Sequence, residues 1–132
     1  MQLNNHTGRI LVVDDLQANV HLLTTYLKAV GYHVVPARDG EEANETNPDL
    51  ILLDIMMPKM NGLEVCTRIK ADDTTKYIPV ILVTALNEIE DKIKGQEAGA
   101  DDFISKPFNK LELLTRVKSL LRIKSLHDQL NE

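Results

Sequence analysis

The chain has 132 residues, with 15 Lys and Arg against 20 Asp and Glu, for a formal charge of −5. That length fits one domain with its own core, and the acidic balance argues against a nucleic-acid surface as the primary function. A single cysteine, Cys66, excludes a disulfide framework or a Cys-rich zinc site, and no apolar run reaches the roughly 18 residues of a membrane span.

Residues 1–8 form a polar leader without the apolar stretch of a signal peptide, so a reducing cytoplasm is the simplest compartment. The first element is the apolar run Ile10–Val13, closed by Asp14-Asp15. Such β-branched runs read as strands buried on both faces, as in a parallel sheet. Leu16, Val20, Leu23, Leu27 and Val30 then step by three and four, one face of a helix that Gly31 stops. His33–Val35 is a weaker second strand. Asp39-x-x-Glu42 opens a second helix, which is barely two turns long because Pro48 follows so soon after Gly40.

Leu50–Leu53, ending in Asp54, is the third strand, and Asn61-x-x-Glu64 opens the helix that carries Cys66. Cys66 reads there as a small buried residue. Val80–Val83 ends in Thr84, Asn87-x-x-Glu90 opens the next helix, and Phe103–Ile104 is a weak fifth strand leading to Lys106-Pro107. Asn109-x-x-Glu112 starts the last helix. Each Asx-x-x-Glu is a capping box, in which the first side chain covers an orphan backbone N–H and the glutamate reaches back. The order is β-α five times, which short right-handed connections turn into an open parallel sheet with helices on both faces.

In the last helix Leu113, Val117, Leu120, Ile123, Leu126 and Leu130 recur at about 3.4 residues, nearer a coiled-coil seam than a straight helix. Its first half is expected on the sheet and its second half, from about Ile123, beyond it, as a frayed amphipathic tail or a coiled coil. Residues 106–132 carry 6 basic and 3 acidic side chains against 9 and 17 in residues 1–105. The basic ones read as a solvated helix face.

Each strand therefore ends in a reactive polar residue: Asp14-Asp15, Asp54, Thr84 and Lys106. In a parallel sheet these converge at one rim, where open α/β sheets bind ligands. Three gathered carboxylates repel one another unless a cation is present, and oxygen ligands suit Mg²⁺. A hydroxyl and an ammonium are donors for phosphoryl oxygens, and an Asp carboxylate is a nucleophile toward phosphorus. The set reads as Mg²⁺-assisted phosphoryl transfer onto an aspartate.

These stretches carry a resemblance. ILVVDD (Ile10–Asp15), PDLILLDIMMPKMNG (Pro48–Gly62), PVILVTAL (Pro79–Leu86) and AGADDFISKPF (Ala98–Phe108) are similar to the receiver domain of two-component response regulators. The resemblance implies a flavodoxin-like doubly wound five-stranded parallel sheet, strand order 2-1-3-4-5, with five helices, the second short and the last extended. It places the receiver at residues 9–124, with 125–132 as a helix extension and possible linker. It makes Asp54 the phosphoacceptor for a sensor histidine kinase or phosphotransfer protein. It implies that Mg²⁺ would be coordinated by Asp15, Asp54 and the backbone carbonyl of Met56, with Asp14 acting largely through water. Thr84 and Lys106 grip the phosphoryl group, Phe103 takes the aromatic switch position, and Lys106-Pro107 matches a cis peptide bond. The implied output is homodimerisation or altered partner activity through the Asn87 helix, the fifth strand and the last helix.

Within the family, DDLQANVHLL, DDTTKYIPVILVTAL and RVKSLLRIKSLHDQL are most similar to receivers that head cyclic-di-GMP regulators of the diguanylate cyclase type. There the last helix runs on as a linker, so the chain reads as an excised domain or as a complete small regulator. It is read as a signalling module with no enzymatic output of its own. An Asp-nucleophile phosphatase needs a second Asp two residues after the nucleophile, and Met56 stands there. A receiver-like module that never carries phosphate is expected to lack Asp54, Thr84 or Lys106. A plain core aromatic is the rival reading of Phe103, and His6, His21, His33 and His127 have no metal-ligand spacing.

Overall fold

The computed structural model describes residues 8–37, 46–57, 60–84 and 89–130. Its sheet consists of β1 (Arg9–Val13), β2 (His33–Ala37), β3 (Leu50–Asp54), β4 (Val80–Thr84) and β5 (Asp102–Ser105). All neighbours are parallel, in the order β2-β1-β3-β4-β5. Four helices lie among the described residues: α1 (Gln17–Lys28), α2 (Gly62–Ala71), α3 (Ile89–Glu97) and α4 (Lys110–Leu130). The expected fifth, the short helix after Asp39, falls on residues 38–45, outside the described residues.

The central strands run apolar on consecutive residues, Ile10–Val13, Leu50–Leu53 and Val80–Val83, because both faces are covered. Ile10, Val12, Leu50, Leu52 and Ile81 pack on Leu23 and Leu27 of α1 and on Leu113 and Val117 of α4. The alternate residues Leu11, Val13, Ile51, Leu53 and Leu82 pack on Val65, Cys66 and Ile69 of α2. The two weaker strands are the sheet's edges, where fewer positions are buried. That is why their sequence signal is faint, and why β2 tolerates Pro36, which cannot donate to a ladder.

Helix ends follow local chemistry. Asn61 Oδ1 accepts from Leu63 N at 2.8 Å and Asn109 Oδ1 from Glu112 N at 2.9 Å, as the capping boxes predict. The glutamate halves turn instead to arginines one turn on: Glu64 lies 3.0 Å from Arg68 and Glu112 3.9 Å from Arg116. Asp39 and Asn87 lie outside the described residues. Leu16, expected on the apolar face of α1, stands just before the helix and is 55% exposed.

At the rim where β4 and β5 begin, Lys70 of α2 ties three chain segments together. Its Nζ donates to Ile78 O at 2.7 Å and pairs with Asp101 Oδ2 at 2.8 Å. The same Asp101 oxygen accepts from Val80 N at 2.8 Å. The last helix is continuous to Leu130, with Leu113 and Val117 buried and Ile123, Leu126 and Leu130 exposed. Its far half is not free of the domain, because His127 stacks on Tyr77 with ring centroids 4.0 Å apart. No described helix is long and apolar enough to cross a membrane.

Two outcomes follow from this packing. Leu52→Ala removes a side chain buried between the sheet, α1 and α4, and is expected to cost about 2–5 kcal/mol in urea denaturation followed by circular dichroism. Cys66 is fully buried and its thiol is pushed up to about 11, first by burial. It is expected to resist thiol reagents at neutral pH until the protein is unfolded.

Candidate functional site

Parallel strands bring their carboxyl ends to one rim, and the residues there come from four segments. Asp14 and Asp15 follow β1, Asp54 ends β3, Thr84 ends β4 and Lys106 follows β5. One oxygen from each of Asp14, Asp15 and Asp54 lies within 4.8 Å of the others. Asp54 is 2% exposed, Asp14 6% and Thr84 1%, whereas Asp15 opens to solvent. Lys106 Nζ lies 3.5 Å from Asp54 Oδ2. The backbone N of Lys106 donates to Thr84 O at 2.8 Å, which fixes the start of the lysine's reach to the end of β4. The Lys106-Pro107 peptide is cis.

Charge decides what this rim can hold. Among the described residues three carboxylates gather beside one ammonium, so negative charge is in excess at a rim where Asp14 and Asp54 are buried. Asp14 Oδ1 accepts from Leu16 N at 2.9 Å, holding the turn into α1, but its Oδ2 is buried without a hydrogen-bond partner. A buried carboxylate oxygen in that condition is costly. An all-oxygen donor set with an orphaned, buried carboxylate oxygen fits a hard divalent cation. Asp14, Asp15 and Asp54 are thus brought together as a cluster able to bind a metal.

The chain after Asp54 is folded tightly against it. Ile55 N donates to Val83 O at 3.0 Å, and a two-residue antiparallel ladder joins Met56–Met57 to Met60–Asn61. Gly62 then closes the loop, donating its N–H to Ile55 O at 3.0 Å. A Cβ on Gly62 would run into the carbonyl oxygen of Asp54 and the Cα of Ile55. The backbone behind the acidic cluster therefore depends on a missing side chain, which sequence reasoning did not single out. The only signal was Asn61-Gly62, a capping residue followed by glycine at the first helical position.

Phe103 is half-buried and packs on the core between the sheet and α2. It pairs in register with Leu82, and Ser105 pairs with Thr84. Leu82 and Thr84 are two residues apart on β4, so Phe103 lies one side-chain step from Thr84 on the same face. Beside it, Asp102 faces the other way. Its Oδ1 accepts from Phe103 N at 2.8 Å and from Arg116 of α4 at 2.7 Å. That pairing raises the Arg116 pKa, chiefly through the hydrogen bond that the guanidinium donates to Asp102. Neither Asp102 nor Arg116 was a sequence candidate, since one lies in a run of acids and the other in a basic helix.

Residues 10–118 match the family model described as response regulator receiver domain. The chain is 48% identical over 130 residues to the response regulator PleD of Caulobacter vibrioides, covering 96% of this chain and 29% of that protein. It is 47% identical over 118 residues to the DNA-binding dual master transcriptional regulator RpaA of Synechocystis, covering 86% of this chain and 49% of that protein. The chain therefore spans half or less of these curated relatives. Among solved structures, it is similar to the receiver domain of a sensor histidine kinase from Pseudomonas aeruginosa PAO1, described with a magnesium ion coordinated in its active site cleft. That likeness has a TM-score of 0.78 and 28% identity over 87% of this chain and 98% of the other.

The Gly62 contact can be tested directly. Gly62→Ala is expected to cost about 1–3 kcal/mol of stability. It should also weaken the affinity of the acidic cluster for an added divalent cation, followed by amide chemical shifts, because the carbonyl of Asp54 has to move.

Proposed function

Because the chain belongs to the response regulator receiver domain family, we propose that it is a phosphorylation-dependent switch of a two-component system, with Asp54 as the phosphoacceptor. The observation that carries this reading is the acidic cluster within 4.8 Å, with Lys106 Nζ 3.5 Å from Asp54 and an orphaned oxygen on Asp14.

A carboxylate oxygen of Asp54 attacks the phosphorus of a phosphohistidine on the partner kinase or phosphotransfer protein. The P–O bond forms as the P–N bond breaks, and the electron pair returns to the imidazole. The product is an acyl phosphate on Asp54. Lys106 supplies positive charge to the phosphoryl oxygens, and the Thr84 hydroxyl donates to one of them. Asp15, Asp54 and the backbone carbonyl of Met56 would hold the cation directly, with Asp14 acting largely through water. The donor set suits Mg²⁺, which when bound neutralises charge on the transferring group. The magnesium described for the Pseudomonas receiver supports that choice.

Phosphorylation adds about one negative charge and new acceptor oxygens at the rim. Thr84 is drawn toward them, Phe103 turns toward the space released, and the face made by α3, β5 and α4 changes shape. The output is homodimerisation or a change in a partner's activity, and the module catalyses only its own phosphotransfer and slow autodephosphorylation. Its place is the cytoplasm, where kinases present phosphohistidine. RpaA is a DNA-binding transcriptional regulator and PleD a response regulator not so described, so likeness of the receiver alone does not fix the output class. The stretches DDLQANVHLL, DDTTKYIPVILVTAL and RVKSLLRIKSLHDQL, which resemble receivers heading cyclic-di-GMP regulators, favour that output for the longer protein.

Wild-type protein incubated with acetyl phosphate and Mg²⁺ should gain one phosphoryl group by mass spectrometry. Asp54→Asn, or a chelator, should abolish it. Full labelling of Asp54→Asn would overturn the assignment.

A further inference from the structure

Gly95 lies buried inside α3, a position where glycine is among the least favourable residues. Backbone freedom is no reason for it. Gly31 and Gly99 adopt positive φ, of 97° and 96°, and Gly95 is not among the positive-φ glycines. Space is the reason. A Cβ at Gly95 would run into Cε1 of Phe103, sit 2.7 Å from its Cζ and lie 2.8 Å from Leu82 Cδ1. Leu82 is buried in β4 and has little room to yield, so the half-buried ring of Phe103, its register partner in β5, is the group that has to move.

We infer that Gly95 is the seat of the Phe103 ring, a positioning residue that sets how readily the aromatic leaves α3 for the space beside Thr84. The ring rests against the backbone of α3 only because no side chain intervenes. It lies one step along the β4 face from Thr84, and its own strand is tied to α4 through Asp102 and Arg116. Filling the seat destabilises the resting arrangement and leaves the alternative one untouched. By reciprocity, the phosphoryl site then binds its ligand more tightly. This inference rests on the reading of Asp54 as the acceptor.

Beryllofluoride with Mg²⁺, a mimic of the phosphoryl group, separates the two claims. Gly95→Ala is expected to lower its half-saturating concentration about fivefold or more. The effect should vanish when Phe103→Ala is added, because a helix merely disturbed by a methyl group would respond alike in both backgrounds. An unchanged affinity in Gly95→Ala, or an equal change with and without Phe103, overturns the seat. A wild type that does not bind beryllofluoride, or an Asp54→Asn variant that binds it equally well, overturns the acceptor reading instead. If Gly95→Ala does not fold, the wild type still decides. Nuclear Overhauser contacts between the Phe103 ring and the Gly95 α-protons should be present in the free protein and lost at beryllofluoride saturation. Their persistence overturns the inference.

Discussion

Like charges held close together are the constraint on which this molecule turns. Asp14, Asp15 and Asp54 would separate in water, and here they are fixed within a few ångströms of one another. The force that holds them is hydrophobic. Four of the five residues in β1 and all five in β3 are buried, and their pairing, Ile10 with Leu50 through Val13 with Leu53, sets where each carboxylate ends. Each buried Val, Leu or Ile contributes roughly 1.5–3 kcal/mol. A few such residues offset the repulsion at the rim, and the remaining negative imbalance is what suits the cluster to a cation.

Much of this was legible in the residues. Continuous apolar runs named the three central strands, and the polar residue after each one named the rim. Asn61 and Asn109 cap as their spacing predicts. What stayed hidden has a physical cause in each case. His33–Ala37 and Asp102–Ser105 extend beyond the short runs predicted for them, because an edge strand needs backbone pairing more than apolar side chains. Leu16 fits the helical spacing yet stands outside the helix, since Asp14 takes its N–H and delays the first turn. Gly62 and Gly95 act through the absence of atoms, which no pattern of side chains reports. The Asp102–Arg116 pair spans two elements whose proximity only the fold creates.

The two faces of the sheet carry different duties. On one, Leu23, Leu27, Leu113 and Val117 lock α1 and α4 against strands that alternate with the reactive ends. On the other, Leu82 and Phe103 lie against Gly95 of α3, and Thr84 stands two residues along β4 from Leu82 on the same face. β5 joins them. Phe103 points to α3 while Asp102, the residue before it, grips α4, so one strand addresses both helices.

The Lys70 clasp gives this arrangement its mechanics. By joining α2 to the carbonyl of Ile78 and to Asp101, it pins the entrances of β4 and β5 at the rim opposite the carboxylates. Parallel ladders then carry that anchorage along β4 and β5 to their far ends. The opposite rim inherits its spacing from this clasp: Thr84 closes β4 and Lys106 follows β5, each a fixed number of residues from the pinned start.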